Sequence, residues 1–331
     1  MKRWMAVPAV LGLLAILATA DDGLAQGGDK VTLQLKWVTQ AQFAGYYAAK
    51  QKGFYTAEKL EVTIRPGGPD IVPEQVVAGG GAEFGLDWLP SLLSAREQGA
   101  PLVNIAQVFA HSGMREIAFK SSGIKGANDL RGRKVAVWFG GNEFALLATL
   151  EKYKIDRNKD VTLVQQPFDM NLLLQKQVDA AAAMTYNEYK QVLDAGVKAD
   201  DLVVIDFNQE GTAMLEDGIF TKADYLKSAK NKEIAARFVR ASLKGMRWAA
   251  DNVDEAARIV MKHNPEVTFE ATKGAWEVSK KFIFVEEATK DGQGYYEPNR
   301  LRSTIEQLNS ALQFKRVPAP DEVATNQFVP K

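Results

Sequence analysis

Residues 31–37 alternate apolar and polar side chains with a period of two, the signature of a strand with one covered face. Apolar positions at helical spacing follow over 42–52, and Gly53 stops them. The pattern then repeats: a strand over 60–65, a Pro-Gly-Gly-Pro turn at 66–69, a short helix over 73–78, a strand over 82–87, a helix over 90–98 and a strand over 102–109. Parallel strands need long crossover connections. Strands that alternate with helices in this way therefore predict a parallel sheet covered by helices.

After an extended stretch at 115–120 the pattern starts again. A strand over 135–138 runs into Gly140 and Gly141, and a helix continues to 153. Strands at 161–165, 178–183 and 202–205 then alternate with helices at 170–176 and 187–195. A second extended stretch spans 212–220, and beyond it helices predominate, over 222–229, 231–250, 252–262, 266–284 and 299–312. Two α/β units with two extended passages between them predict a discontinuous first lobe, 31–114 plus 221–331, and an inserted second lobe, 115–220. The two passages would act as a hinge across a cleft. Two complete domains in tandem are the alternative.

The N-terminus carries an address. Lys2 and Arg3 precede an apolar run over 6–18, and small residues stand at cleavage spacing in Ala18-Thr-Ala20 and Gly23-Leu-Ala25, which predicts a signal peptide over 1–25. A run of about 13 apolar residues falls short of the ~20 that span a bilayer. The mature chain is thus expected to be secreted, most naturally into a periplasm. The full sequence is balanced in charge, with 41 basic and 41 acidic residues, so it lacks the electrostatic footprint that nucleic acid requires. The absence of cysteine excludes disulfides, thiolate chemistry, cysteine-ligated metal and a lipid anchor on an N-terminal cysteine. Only His111 and His263 supply imidazole, so neither a metal nor a cofactor is expected, and a monomer is the default state.

The chemistry concentrates at the ends of the predicted strands. Trp37, Gln42 and Phe43 follow the first, and Trp88 the third; Trp138, Asn142 and Glu143 follow the first strand of the second lobe, Asp169 the next, and Tyr186 and Glu188 the one after. In parallel sheets the carboxyl ends of strands form one edge, and ligands bind there and between domains. Aromatic walls with a few amides and carboxylates suit a flat heterocycle, stacking giving contact area and the polar groups orientation. Each tryptophan could equally be core packing. Gly140-Gly141 before a helix offers backbone N–H groups to an anion, although Glu143 already complements that helix end. Met214 and Glu216, at the second passage, reach either a ligand or only the hinge and solvent.

Several motifs add a family resemblance. Leu35-Lys-Trp37, the run from Ala41 to Ala48, Lys52-Gly-Phe-Tyr55, Gly81-Ala-Glu-Phe-Gly-Leu86, Leu130-Arg-Gly-Arg-Lys-Val135 and Val178-Asp-Ala-Ala181 resemble periplasmic solute-binding proteins related to thiamine pyrimidine synthases. The resemblance implies a type II periplasmic-binding-protein fold, closure on a small molecule and delivery to an ABC transporter permease. It places a ring-stacking aromatic at Trp37 and an aromatic-plus-acid pair at Tyr186 and Glu188. The expected pose has Trp37 and Tyr186 on opposite faces of one ring, with Glu188 or Glu143 accepting hydrogen bonds from its edge. Lys36 stands where pyrimidine binders often carry an acid, and Phe43 where the synthases carry a histidine. Candidate ligands are a thiamine-related pyrimidine, another flat heterocycle such as a flavin, or a nitrate- or sulfonate-like anion. Without cysteine and with Phe43, a binding role is expected over an enzymatic one.

Overall fold

The computed structural model describes residues 27–286 and 291–330; the expected signal peptide lies outside them. Among the described residues ten strands form two five-stranded sheets. The first contains β1 (Asp29–Gln34), β2 (Leu60–Arg65), β3 (Phe84–Asp87), β4 (Leu102–Gln107) and β10 (Gly218–Lys222). In the second are β5 (Met114–Phe119), β6 (Lys134–Val137), β7 (Thr162–Gln165), β8 (Ala180–Met184) and β9 (Leu202–Asp206). Their strand orders are β2-β1-β3-β10-β4 and β7-β6-β8-β5-β9. The expected pair of α/β lobes joined by two crossings is present.

The two orders are the same order. In each sheet the fourth strand runs antiparallel to its neighbours, and it is the strand the chain makes just after crossing from the other lobe. The segments expected as bare crossings at 115–120 and 212–220 are thus partly these strands, β5 and β10. Their apolar runs, Ile117-Ala118 and Ile219-Phe220, bury into the sheets. The passages themselves are shorter, over 108–113 and 211–217. They lie side by side: Ser112 Oγ donates to Glu216 Oε1 at 2.5 Å, the Met114 N–H to the same oxygen at 3.1 Å, and the Val108 N–H to the Asp217 carbonyl at 3.1 Å.

The helices after β10 belong mainly to the first lobe. Ser228 caps the helix Ala229–Asp251 through the Asn231 N–H, and the apolar stripe Ile234, Phe238, Val239 and Met246 is buried. This helix crosses Ala44–Gln51 at Gly45 and Gly245. A Cβ on Gly245 would lie 2.2 Å from the Gly45 carbonyl, so only the bare backbone permits the approach. The helix Pro298–Leu312 reaches the second lobe, where Ser310 Oγ donates to Glu151 Oε1 at 2.5 Å. The expected helix over 222–229 shrinks to a single turn, Tyr225–Lys227.

Candidate functional site

The carboxyl ends of β1, β3, β6, β7 and β8 face one another across the space between the sheets. The inner part of that space is a narrow chamber of about 40 Å³, lined by Lys36, Trp37, Gln40, Gln42, Phe43, Trp88, Trp138, Asn142, Met184, Tyr186, Asn187, Glu188 and Asp217. It continues past Lys36, Trp37, Trp138 and Asn142 into a wider outer chamber of about 430 Å³ that opens to solvent. Eight of the ten residues singled out in the sequence meet in the inner chamber: Trp37, Gln42, Phe43, Trp88, Trp138, Asn142, Tyr186 and Glu188.

Glu143 and Asp169 stand elsewhere. The Glu143 carboxylate turns back to accept the Gly141 N–H at 2.7 Å, on the far side of the turn from the chamber. Asp169 is exposed and accepts the Asn171 N–H at 2.9 Å, starting a helical turn. Both acids satisfy local backbone donors, which short acidic side chains at turn and helix starts do readily. The Gly140-Gly141 turn likewise has no N–H left for an anion at Gly141. It touches the opposite lobe instead: Ser91 Oγ donates to the Gly140 carbonyl at 3.1 Å. A Cβ on Gly141, whose φ is +135°, would lie 1.9 Å from Ser91 Oγ.

The aromatics do not share one role. Trp37 is partly exposed, and its ring meets Phe168 of the other lobe at 5.0 Å between centroids, tilted by 53°. Tyr186 closes the inner end, with Phe109 at 6.0 Å and Phe282 at 6.5 Å. Trp138 is held by its Nε1–H donating to the Pro167 carbonyl at 3.1 Å. Trp88 is buried beneath the chamber and donates a side-chain hydrogen bond to Asp217.

Charge is concentrated on the first lobe. Lys36 Nζ donates to Asp87 Oδ1 at 2.5 Å, and Glu74 and Asp217 lie close enough to act on the same ammonium. Burial works to deprotonate Lys36, but the Asp87 carboxylate outweighs it and holds the lysine above its usual range. Burial pushes the carboxyl of Asp217 up to about 7, with Lys36 opposing. Glu74 is pushed up by burial and by Asp87. On the second lobe burial raises Glu188 to about 7, although it accepts the Met184 N–H at 3.0 Å and Asn187 Nδ2 at 2.6 Å. Glu216, buried at the second passage and hydrogen-bonded to Ser112, is also raised to about 7. The chamber thus offers acid acceptors and a lysine already paired.

Comparison with known proteins fits this architecture. Residues 40–256 match the family model described as NMT1/THI5 like. The chain belongs to the NMT1/THI5-like family. It is 28% identical over 310 residues to the riboflavin-binding protein RibY of Chloroflexus aurantiacus, covering 91% of this chain and 86% of that protein. It is 24% identical to a 4-amino-5-hydroxymethyl-2-methylpyrimidine phosphate synthase of Legionella pneumophila, over 72% of this chain and 75% of that enzyme. The solved periplasmic aliphatic sulphonate binding protein SsuA of Escherichia coli superposes with a TM-score of 0.66 at 14% identity, over 89% of this chain and 91% of that one. The fold is the type II periplasmic-binding-protein fold.

Within this NMT1/THI5-like chain, sequence reasoning passed over Lys36, Asp217, Met184 and Asn187 as chamber residues. Asp217 had a legible signal in retrospect. An antiparallel strand begins where its parallel neighbours end, so the residue before β10 arrives at the cleft edge, with Gly218 opposite Asp87. Lys36 adjoins Trp37, and the acid that engages it lies 51 residues away, which spacing does not reveal.

Proposed function

We propose that the chain is the solute-binding component of an ABC importer, secreted through the signal peptide 1–25 into a periplasm, where it works as a monomer. It closes its two lobes on a planar nitrogen heterocycle and presents that ligand to a membrane permease. The observation that carries this reading is the inner chamber: tryptophans from both lobes wall a space whose polar lining is mainly amide and acid, which matches the stacking faces and N–H edge of such a ring. Trp37 supplies the stacking face, Tyr186 closes the inner end, and Glu188 and Asp217 accept hydrogen bonds from the ring edge.

A sulfonate- or nitrate-type anion suits the chamber poorly. Its one ammonium is already paired with Asp87, and Asp217 and Glu188 stand in the wall. Binding rather than catalysis is supported by Phe43, which fills the position where the resemblance gives the synthases a histidine, and by a sequence with no cysteine. Among the described residues no helix is long and apolar enough to cross a membrane, which accords with delivery by a diffusing carrier. The test is to denature purified protein and identify the released small molecule by mass spectrometry. A pyrimidine, pteridine or flavin supports the reading; a stoichiometric sulfonate or other aliphatic anion rejects it.

A further inference from the structure

A third space lies between the lobes, on the flank of the cleft. It is a groove of about 400 Å³. The first lobe lines it from the helices Pro73–Ala78 and Leu89–Glu97, and the second from Gly140, Glu143 and Phe144. Among the described residues that line it none is basic, and two are acids, one from each lobe. Glu74 lines this groove and neither chamber of the cleft. It is 1% exposed, and its Oε1 accepts no hydrogen bond from any described residue. Buried oxygens are nearly always paired, so an orphan in the wall of a groove marks a missing donor. Glu143 spends Oε2 on the Gly141 N–H, which leaves its Oε1 able to accept. Ser94 and Gln98 add a hydroxyl and an amide, and Val72, Ala78, Ala95 and Phe144 supply apolar wall.

We propose that the groove is a second ligand site, separate from the cleft chambers, for a small aliphatic amine, whose ammonium binds Glu74 and Glu143 and whose hydrocarbon body lies on the apolar wall. An ammonium carries three donors and no acceptor, the complement of a lining that offers acceptors and no cation. An anion would meet two carboxyls and nothing to balance it. A metal ion fits less well, because the described residues contain no group of three His, Cys, Asp or Glu that could hold one. Glu74 also lies near Asp87 and Lys36 of the cleft floor, and burial with Asp87 keeps a proton on it. The ammonium takes the place of that proton, which leaves to solvent. Since the wall comes from both lobes, the bound amine holds them together, whatever the cleft contains.

The test is calorimetric titration of the mature chain with n-butylamine and with 1-butanol, its neutral counterpart, in two buffers of different ionisation enthalpy. The amine is expected to bind with a stoichiometry of one, at least about tenfold tighter than the alcohol, and to release about one proton. Glu74→Gln keeps the shape of the side chain and should weaken the amine about tenfold with no proton released. Ser94→Leu fills the groove and touches neither cleft chamber, so it should abolish amine binding; melts of both variants check that they are folded. Saturating butylamine should lower the radius of gyration of the wild type and leave that of Ser94→Leu unchanged. Equal affinity for amine and alcohol, binding that survives both variants, binding without proton release, or an unchanged wild-type scattering profile overturns the proposal. The heterocycle reading of the cleft stands or falls separately, on the molecule released from the denatured protein.

Discussion

The two lobes repeat one strand order yet contribute different chemistry to the cleft. On the first lobe, loops at the sheet edge carry a compensated set of charges, Lys36 between Asp87, Glu74 and Asp217, set over the buried Trp88. The equivalent edge of the second lobe carries Trp138, Tyr186 and a single acid, Glu188, whose oxygens are held by the Met184 N–H and the Asn187 amide. It also carries the glycine turn that touches Ser91 across the cleft. The same scaffold thus divides the work. The first lobe holds a preformed polar floor whose charges depend on one another, whereas the second brings a lid that shapes the space above it.

This contrast predicts unequal costs. Lys36→Met leaves Asp87 buried without its cation and beside two further carboxyls, so it should destabilise the protein by about 3–5 kcal/mol in urea unfolding. Glu188→Gln keeps shape and removes a charge that no cation faces. Measured near pH 8, where Glu188 has lost its proton, it should weaken ligand binding about tenfold, because a hydrogen bond to a charged acceptor is lost, while costing no stability. If the two substitutions cost the same stability, the division between a charged floor and a shaping lid is wrong.

The lid can be tested at its point of contact. Gly141→Ala forces a side chain against Ser91 and places alanine at a φ that L-residues rarely adopt. The lobes should stay apart, with affinity down about fivefold and only a modest fall in Tm. A scattering profile in saturating ligand should show the variant more open than the wild type, and identical profiles would remove the turn from the closure.

Acidity acts on the buried acids themselves. Glu188, Glu216 and Asp217 keep their protons up to about pH 7 in the folded chain. In the unfolded chain such carboxyls lose them near about pH 4. Between these values the native state binds more protons, so its stability falls as pH rises, and above about 7 the loss is complete. Carboxylates held below their usual range by surface cations, such as Glu58 and Asp29, change stability in the opposite sense but only at lower pH. The ligand-free protein should therefore melt clearly higher at pH 5 than at pH 8, by several degrees or more. A flat or rising Tm across that interval would mean that water reaches these acids.

How much of this was legible in the sequence follows from distance along the chain. The strand ends were, because an alternating run that stops at Trp37 and short apolar runs that stop near Trp138 and Met184 mark a sheet edge within a few residues. The acids were read less well. At 168–169 the acid is the residue that polarity singles out, whereas Asp169 caps its own turn and Phe168 is the side chain that meets Trp37. Local backbone donors compete for short acids, and a spacing argument cannot see which wins. The antiparallel direction of β10, which delivers Asp217 to the floor, depends on how the returning chain re-enters the first sheet, a pairing formed only in three dimensions.

The central claim is that the cleft between these lobes stacks a planar heterocycle on Trp37. Calorimetric titration of Trp37→Ala with riboflavin, paired with a thermal melt of the same sample, tests it most directly. The account predicts affinity lower by at least about tenfold and a Tm within a few degrees of wild type, since the ring borders open cleft more than core. Unchanged affinity with a Tm lowered by an amount matching the roughly 3–5 kcal/mol of a core tryptophan lost would contradict it.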